Sequence, residues 1–170
     1  FPLLTVRENL LAPAANRHHL NSAWDLQKVY DLFPILQNRR DQLGKSLSGG
    51  EQQRVQFARA LLQVGGLSKT AEDRFLLLDE PTSNMDVAYE LNLLNLAKEV
   101  RKTGVGVIVV LHDLNLAARF SDQIILMNSG MTVASGQPEK VLSEKILSDV
   151  YSTALRVERH EQLDRIVVYS

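Results

Sequence analysis

The 170-residue chain contains no cysteine. A disulfide framework and a thiolate metal site are therefore excluded, and a reducing compartment is allowed, with cytosolic chemistry the default. Charge of one sign is not in excess either: 19 Lys and Arg stand against 20 Asp and Glu, for a formal net charge of −1. Binding nucleic acid by phosphate neutralisation needs a strong basic excess or a basic face, so no nucleic-acid partner is expected. Long apolar runs are missing too, since the longest, residues 105–111, falls far short of the about 20 residues a membrane-crossing helix requires. There is no initiator Met and no signal-peptide pattern, and the opening Phe1-Pro2-Leu3-Leu4 reads as a chain that begins partway through a longer protein. No internal repeat or low-complexity tract is present. What is there, 45% hydrophobic and 23% charged residues, describes a soluble globular domain.

The first third reads as helix. Thr5-Val6-Arg7-Glu8 has the spacing of a capping box, and Ala12-Pro13-Ala14-Ala15-Asn16 breaks the helix it starts. A second helix is predicted over 22–33, with Trp24, Val29, Tyr30, Leu32 and Phe33 available for burial and Pro34 closing it. Another capping box, Ser48-Gly49-Gly50-Glu51, opens a helix to about residue 63 with Val55, Ala58, Leu61 and Leu62 on one side. After a polar connection over 65–74 the period changes. The apolar runs 75–78 and 107–111 fit strands covered on both faces, as in parallel α/β sheets. A helix over 87–102, carrying Leu91, Leu94, Leu96 and Val100, makes the crossover between them. Asn128-Ser129-Gly130 signals a hairpin joining 123–127 to 131–134. Short helices over 138–142 and 144–151 and a final hairpin over 155–170 complete the expected order. The organisation read from this is a helical unit over 1–64 followed by the α/β part over 65–170.

Three places carry chemistry. At Ser48-Gly49-Gly50 two glycines allow close backbone approach, while free amides, the helix dipole and a hydroxyl point to one place, as in phosphate binding. Taken alone, the same residues are better described as plain helix initiation. Asp79-Glu80-Pro81 follows the first apolar strand, at the strand end where open α/β sheets bind ligands. An Asp there can hold Mg²⁺ through its water shell and a neighbouring Glu can orient or deprotonate water; an acidic turn sharpened by Pro81 is the other reading. His112 ends the second strand, as a hydrogen-bond donor to a terminal phosphate or as a structural cap. His18-His19 lack partners at ligand spacing and read as surface. Gly44-Lys45-Ser46 imitates the end of a phosphate loop, but the pattern requires glycine where Arg39 stands, so the chain contains no such loop.

Together, Leu47-Ser48-Gly49-Gly50-Glu51-Gln52-Gln53-Arg54, Leu76-Leu77-Leu78-Asp79-Glu80-Pro81-Thr82-Ser83, Met85-Asp86 and His112-Asp113-Leu114 closely resemble the ATP-binding subunits of ABC transporters in order, spacing and residue type. The resemblance implies a partial P-loop NTPase fold: a helical subdomain, the Walker B half of a parallel-sheet core and a small C-terminal β-hairpin. It implies that Leu47, Ser48, Gly49, Gly50, Glu51 and Gln52 form the signature motif, presented to ATP held by a second subunit. Asp79 would serve Mg²⁺, Glu80 would be the general base, Ser83 and Asp86 would belong to the D-loop at the dimer interface, and His112 would be the switch histidine. Asn84-Met85 stand where the family usually shows Ala-Leu. The Walker A loop, the adenine-stacking aromatic and the Q-loop glutamine lie upstream in this family, so this chain alone is expected to form no nucleotide site and to be inactive.

The implied partners are a second copy forming a homodimer, transmembrane permease subunits contacted by the helical subdomain, and, indirectly, a substrate-binding protein. The implied place is the cytoplasmic face of the cell membrane. The polar insert, the run from Leu111 to Arg119 and the tail from Val150 are similar to haem, cobalamin and ferric-siderophore importers, haem first. Leu4-Thr5-Val6-Arg7-Glu8-Asn9-Leu10 and Leu32-Phe33-Pro34 are similar to branched-chain amino-acid importers instead. A DNA-repair or chromosome-maintenance ATPase shares such a signature motif, but long coiled coils usually interrupt that domain and no heptad run occurs here. A truncated, non-catalytic interaction module is the third class.

Overall fold

Thr5 starts helix α1 (Val6–Leu11) as its spacing predicts: its hydroxyl accepts from the Glu8 amide at 3.2 Å, and the Glu8 carboxylate takes the Thr5 amide at 2.8 Å. The computed structural model describes residues 1–12, 25–65, 74–82 and 86–169. The expected break at 13–16, His18-His19, Trp24, most of the polar connection, and Ser83, Asn84 and Met85 thus lie outside the described residues. Helix α2 (Leu26–Leu32) is capped by Asp25, whose carboxylate accepts from the Lys28 amide at 2.8 Å; the expected start at Ser22 lies outside the described residues. Val29, Tyr30 and Phe33 are buried, whereas Leu32 falls to the flank of the stripe they define and is exposed. Pro34 sits in the first turn of α3 (Pro34–Asn38), where a missing N–H leaves no bond unmade.

These short helices pack against α4 (Gly49–Gly65), which buries Val55, Phe57, Ala58, Leu61, Leu62 and Val64. Phe33 meets Phe57 edge to face, with centroids 6.1 Å apart. The segment before α1 is laced to the one before α4. Gly44 and Lys45 donate their amides to the Leu4 and Pro2 carbonyls, and buried Asn9 donates to the Phe1, Leu4 and Thr5 carbonyls. At Gly44 an added Cβ would come within 2.9 Å of the Phe1 carbonyl oxygen, so only glycine fits this crossing.

Strands β1 (Phe75–Asp79) and β2 (Gly106–Val110) pair in parallel in a two-stranded sheet, joined by the expected crossover helix α5 (Val87–Lys102). Helix α4 packs on β1 and α5 on β2. Within α5 the buried stripe is Leu93, Leu94, Leu96, Ala97 and Val100, with Leu91 only half-buried. The expectation of strands covered on both faces is corrected by alternating burial. Leu76 and Leu78 are buried on the face they share by register with Val107 and Val109, while Phe75, Leu77, Ile108 and Val110 on the other face are exposed. The continuous apolar run reports a two-sided strand, but the described elements of this chain cover one side.

The chain divides into two compact units, Phe1–Val110 and Leu111–Ser170. The second holds α6 (Leu114–Phe120), the hairpin β3 (Ile124–Asn128) and β4 (Met131–Gly136), α7 (Pro138–Val141), α8 (Glu144–Tyr151), and the hairpin β5 (Arg156–His160) and β6 (Arg165–Tyr169). Both hairpins and both short helices were expected. Ser129 and Gly130 take φ of 50° and 77°, the left-handed pair that a tight two-residue hairpin turn requires. Ile124, Leu126, Val141, Leu142, Leu147 and Ile166 form this unit's core.

One side chain ties its two ends together. Asn115 of α6 donates from Nδ2 to the Val168 carbonyl at 3.1 Å and accepts the Val168 amide on Oδ1 at 2.8 Å, standing in for a neighbouring strand along β6. Replacing it by alanine removes both bonds, so Asn115→Ala should lower the stability of this unit by about 1–2 kcal/mol in urea unfolding. Hydrogen exchange at the Val168 amide should speed up in step; an unchanged rate there would show that the pair carries no stability.

Candidate functional site

The start of α4 is built around one carboxylate. Glu51 Oε2 accepts the Ser48 amide at 2.9 Å and the Ser48 hydroxyl at 3.0 Å, and the Ser48 Oγ lies 3.4 Å from the Glu51 amide, completing the expected capping box. Gln52 reaches back from Nε2 to the Leu47 carbonyl at 3.1 Å. The other Glu51 oxygen lies 2.6 Å from Arg39 Nε, an ion pair at the end of α3. Leu47 is buried and anchors this turn, whereas Ser48 and Gly49 are exposed. The Ser48 amide holds the Glu51 carboxyl below its ordinary value of 4.5 against the opposing pull of burial, helped by the Ser48 hydroxyl and the charges of Arg39 and Arg54. The carboxylate is therefore ionised at neutral pH.

Gly49 and Gly50 have no internal reason to be glycine. Among the described residues, an added Cβ at either would meet nothing within 4 Å, and neither takes a positive φ. Glycine in a helix costs up to about 1 kcal/mol relative to alanine. Two of them in the first turn, with open space outside, leave bare amides where something external can come close.

At the end of β1 the chain does something unfavourable. Asp79 and Glu80 are both exposed, and Glu80 takes a φ of 44°. The other non-glycine residues with positive φ are explained locally: Ser129 by the hairpin turn, Ser152 by the end of α8, Asp164 by the turn into β6. Glu80 precedes Pro81, whose ring favours extended backbone in the residue before it. A left-handed glutamate at that place is stored strain, of order 1–3 kcal/mol, and such strain clusters at functional sites. Asp86 caps α5, accepting the Tyr89 amide at 3.0 Å, and the Tyr89 ring is stacked by Arg54 of α4, with the guanidinium carbon 3.6 Å from the centroid. The structure thus brings Leu47 to Gln52, Asp79, Glu80 and Asp86 into one compact unit, with α4 on β1 and α4 linked to α5. Ser83 lies outside the described residues. His112 follows β2, is exposed, and belongs to the second unit. It is not the cap of α6: Asp113 is, accepting the Asn115 and Leu116 amides at 2.7 and 3.0 Å.

Comparison with known proteins gives this arrangement a family. Residues 1–83 match the family described as ABC transporter. Hemin import ATP-binding protein HmuV of Mesorhizobium japonicum is 44% identical over 113 residues, 66% of this chain and 43% of that protein, and HmuV of Rhodopseudomonas palustris is 47% identical over 112 residues. HmuV of Aliivibrio fischeri is 40% identical over 136 residues, 80% of this chain and 51% of that protein. The chain thus carries an ABC transporter domain over residues 1–83, and its similarity to ATP-binding proteins of that kind extends beyond them. It spans about half the length of the curated relatives it matches. Solved structures agree on the fold of this partial ABC ATPase domain. An ABC transporter described as of the metal-chelate type, in an inward-facing conformation, superimposes with a TM-score of 0.72 at 20% identity, covering 99% of this chain and 67% of that one. The ATP-binding subunit of another ABC transporter gives 0.71 at 22% identity, covering 89% and 62%.

The fit to the family's ligands can be judged from the residues present. Among the described residues no group of three or more His, Cys, Asp or Glu side chains could hold a metal. Mg²⁺ needs no such cage, because it is commonly held by one or two carboxylates, waters and substrate phosphates; Asp79, exposed at a strand end, is suited to that. Sequence reasoning missed Arg39, which served only to reject a phosphate loop, and the stacking of Arg54 on Tyr89. Neither leaves a periodic signal, because each joins elements across a turn or a crossover.

Substitution separates the glycines from the cap. Gly50→Ala should raise the chain's stability by about 0.4–1 kcal/mol in chemical denaturation, and a loss instead would mean that internal packing requires the glycine. Glu51 has a depressed pKa in the folded state, so its contribution is complete above the ordinary value of 4.5 and is lost as pH falls through the lower folded value. In Glu51→Gln the acid-induced loss of stability should therefore be shallower than in the native chain.

Proposed function

We propose that this chain is the signature and Walker B part of an ATP-hydrolysing subunit that powers an ABC importer, most simply one for haem, with other iron complexes and cobalamin as the neighbouring possibilities. The observation that carries the reading is the pair of unexplained glycines after Ser48, which leave a capped helix N-terminus open to phosphate. The 40–47% identity to hemin import proteins favours haem over a branched-chain amino acid. The functional division runs at residue 64, a helical signature subdomain before it and the catalytic part after it, and differs from the division into compact units.

In this reading Leu47, Ser48, Gly49, Gly50, Glu51 and Gln52 face ATP held by a second copy, in a homodimer seated at the cytoplasmic face of the membrane on permease subunits. No helix among the described residues is long and apolar enough to cross a membrane, which agrees with a peripheral subunit. Bound Mg²⁺ would neutralise phosphate charge as it develops, and Asp79 would hold it. Glu80 would take the proton of the attacking water, its strained backbone fixing where the carboxylate starts. His112 would donate a hydrogen bond to the terminal phosphate, and Ser83 and Asp86 would line the dimer interface.

Glu80→Gln in the full-length protein should retain ATP binding and accumulate dimers while turnover falls about 100-fold or more; undiminished hydrolysis would remove Glu80 from the role. Ser48→Arg should block ATP-dependent dimerisation, measured by size-exclusion chromatography, with monomer binding of ATP nearly unchanged. Uptake of haem, cobalamin and a ferric siderophore by cells carrying the permease would decide among the cargoes.

A further inference from the structure

A carboxylate is a poor neighbour for phosphate. Glu51 nonetheless puts one on the hydroxyl and amide of Ser48, at the helix start proposed to receive the most highly charged end of ATP. Its negative charge works against the positive end of the α4 dipole and against the free amides of Gly49 and Gly50. Two guanidinium groups act on it. Arg54 is stacked on Tyr89 and acts through space. Arg39 is in direct contact, 2.6 Å from the oxygen that Ser48 does not use, in a pair whose side chains are 36% and 11% exposed. Arg39 Nη1 also donates to Gln42 Oε1 at 3.0 Å, which anchors the guanidinium to its own turn as well. The carboxylate thus keeps one oxygen for the serine and gives the other to a cation supplied by the end of α3.

We infer that Arg39 is a positioning residue for ATP engagement: by pairing with Glu51 it cancels the charge that would repel phosphate from Ser48 and fixes the carboxylate that orients the serine. This rests on the reading of Ser48 as a phosphate ligand. The mechanism is electrostatic and runs through Glu51, so it weakens when salt screens the charges and vanishes when Glu51 is made neutral. An arginine that merely braced α3 would show neither behaviour.

The test is steady-state ATP hydrolysis by the full-length protein. Arg39→Gln should raise the KM for ATP about tenfold, the size of a coupling between charged groups in contact, with kcat reduced less than about twofold. Higher ionic strength should shrink the difference from the native protein. Arg39→Lys, which keeps the charge, should restore most of the affinity, and in a Glu51→Gln background Arg39→Gln should change KM less than about twofold. Equal effects of Arg39→Gln in both backgrounds, or Arg39→Lys behaving as Arg39→Gln, would overturn the inference even if the latter variant folds poorly. Ser48→Arg serves as the separate control: if it leaves ATP-dependent dimerisation intact, the phosphate-facing serine itself is wrong, and the inference falls with it. If it blocks dimerisation while the Arg39 effects are additive, only the role of Arg39 is refuted.

Discussion

The bond network on the Glu51 carboxylate is the constraint from which the rest of this structure is best understood. One side chain satisfies the amide and hydroxyl of Ser48, begins a 17-residue helix, and receives Arg39 from the preceding helical segment. Because α4 is the element on which α1, α2 and α3 pack, and which itself packs on β1, the direction of its first turn fixes how the serine sits relative to everything else in the unit. A helix start is ordinarily a detail of local stability. Here it doubles as the exposed end of a rigid rod whose far portion is buried among leucines and valines.

A second constraint acts at the other candidate site of the same unit. Asp79 is the last residue of a strand held in parallel register to β2, and Glu80 turns the chain through a conformation that glutamate ordinarily avoids. The strand supplies rigidity and the turn supplies direction. Asp86 then restarts regular structure at α5, and Arg54 lies on the first turn of that helix through Tyr89. The start of α4 and the end of β1 are thus joined by the packing of α4 on β1, and α4 is tied to α5 by the Arg54–Tyr89 stack.

Much of this was legible in the amino-acid order, and the line between legible and hidden follows sequence distance. Both capping boxes, the crossover helix, the turn at Ser129-Gly130 and the final hairpin depend on residues a few positions apart, and each stands where its pattern placed it. The described part of α2 starts at the Asp25 cap, and the expected start at Ser22 lies outside the described residues. Two-sided burial of the strands failed for a physical reason: the run of apolar residues records what a strand is built to face, not what this stretch of chain brings to it. Asn115 with Val168, and Arg39 with Glu51, join distant residues and leave no period to read. The backbone of Glu80 was hidden as well, since a residue before proline is expected to be extended. The roles proposed for the site residues come from motif resemblance, which periodicity does not carry.

The side of the β1–β2 pair that no described element covers sets a condition on handling the molecule. Phe75, Leu77, Ile108 and Val110 form a greasy panel in which no side chain can hydrate well. Water is a poor solvent for such a panel. An apolar panel of this kind is a liability for adsorption and self-association wherever nothing lies over it.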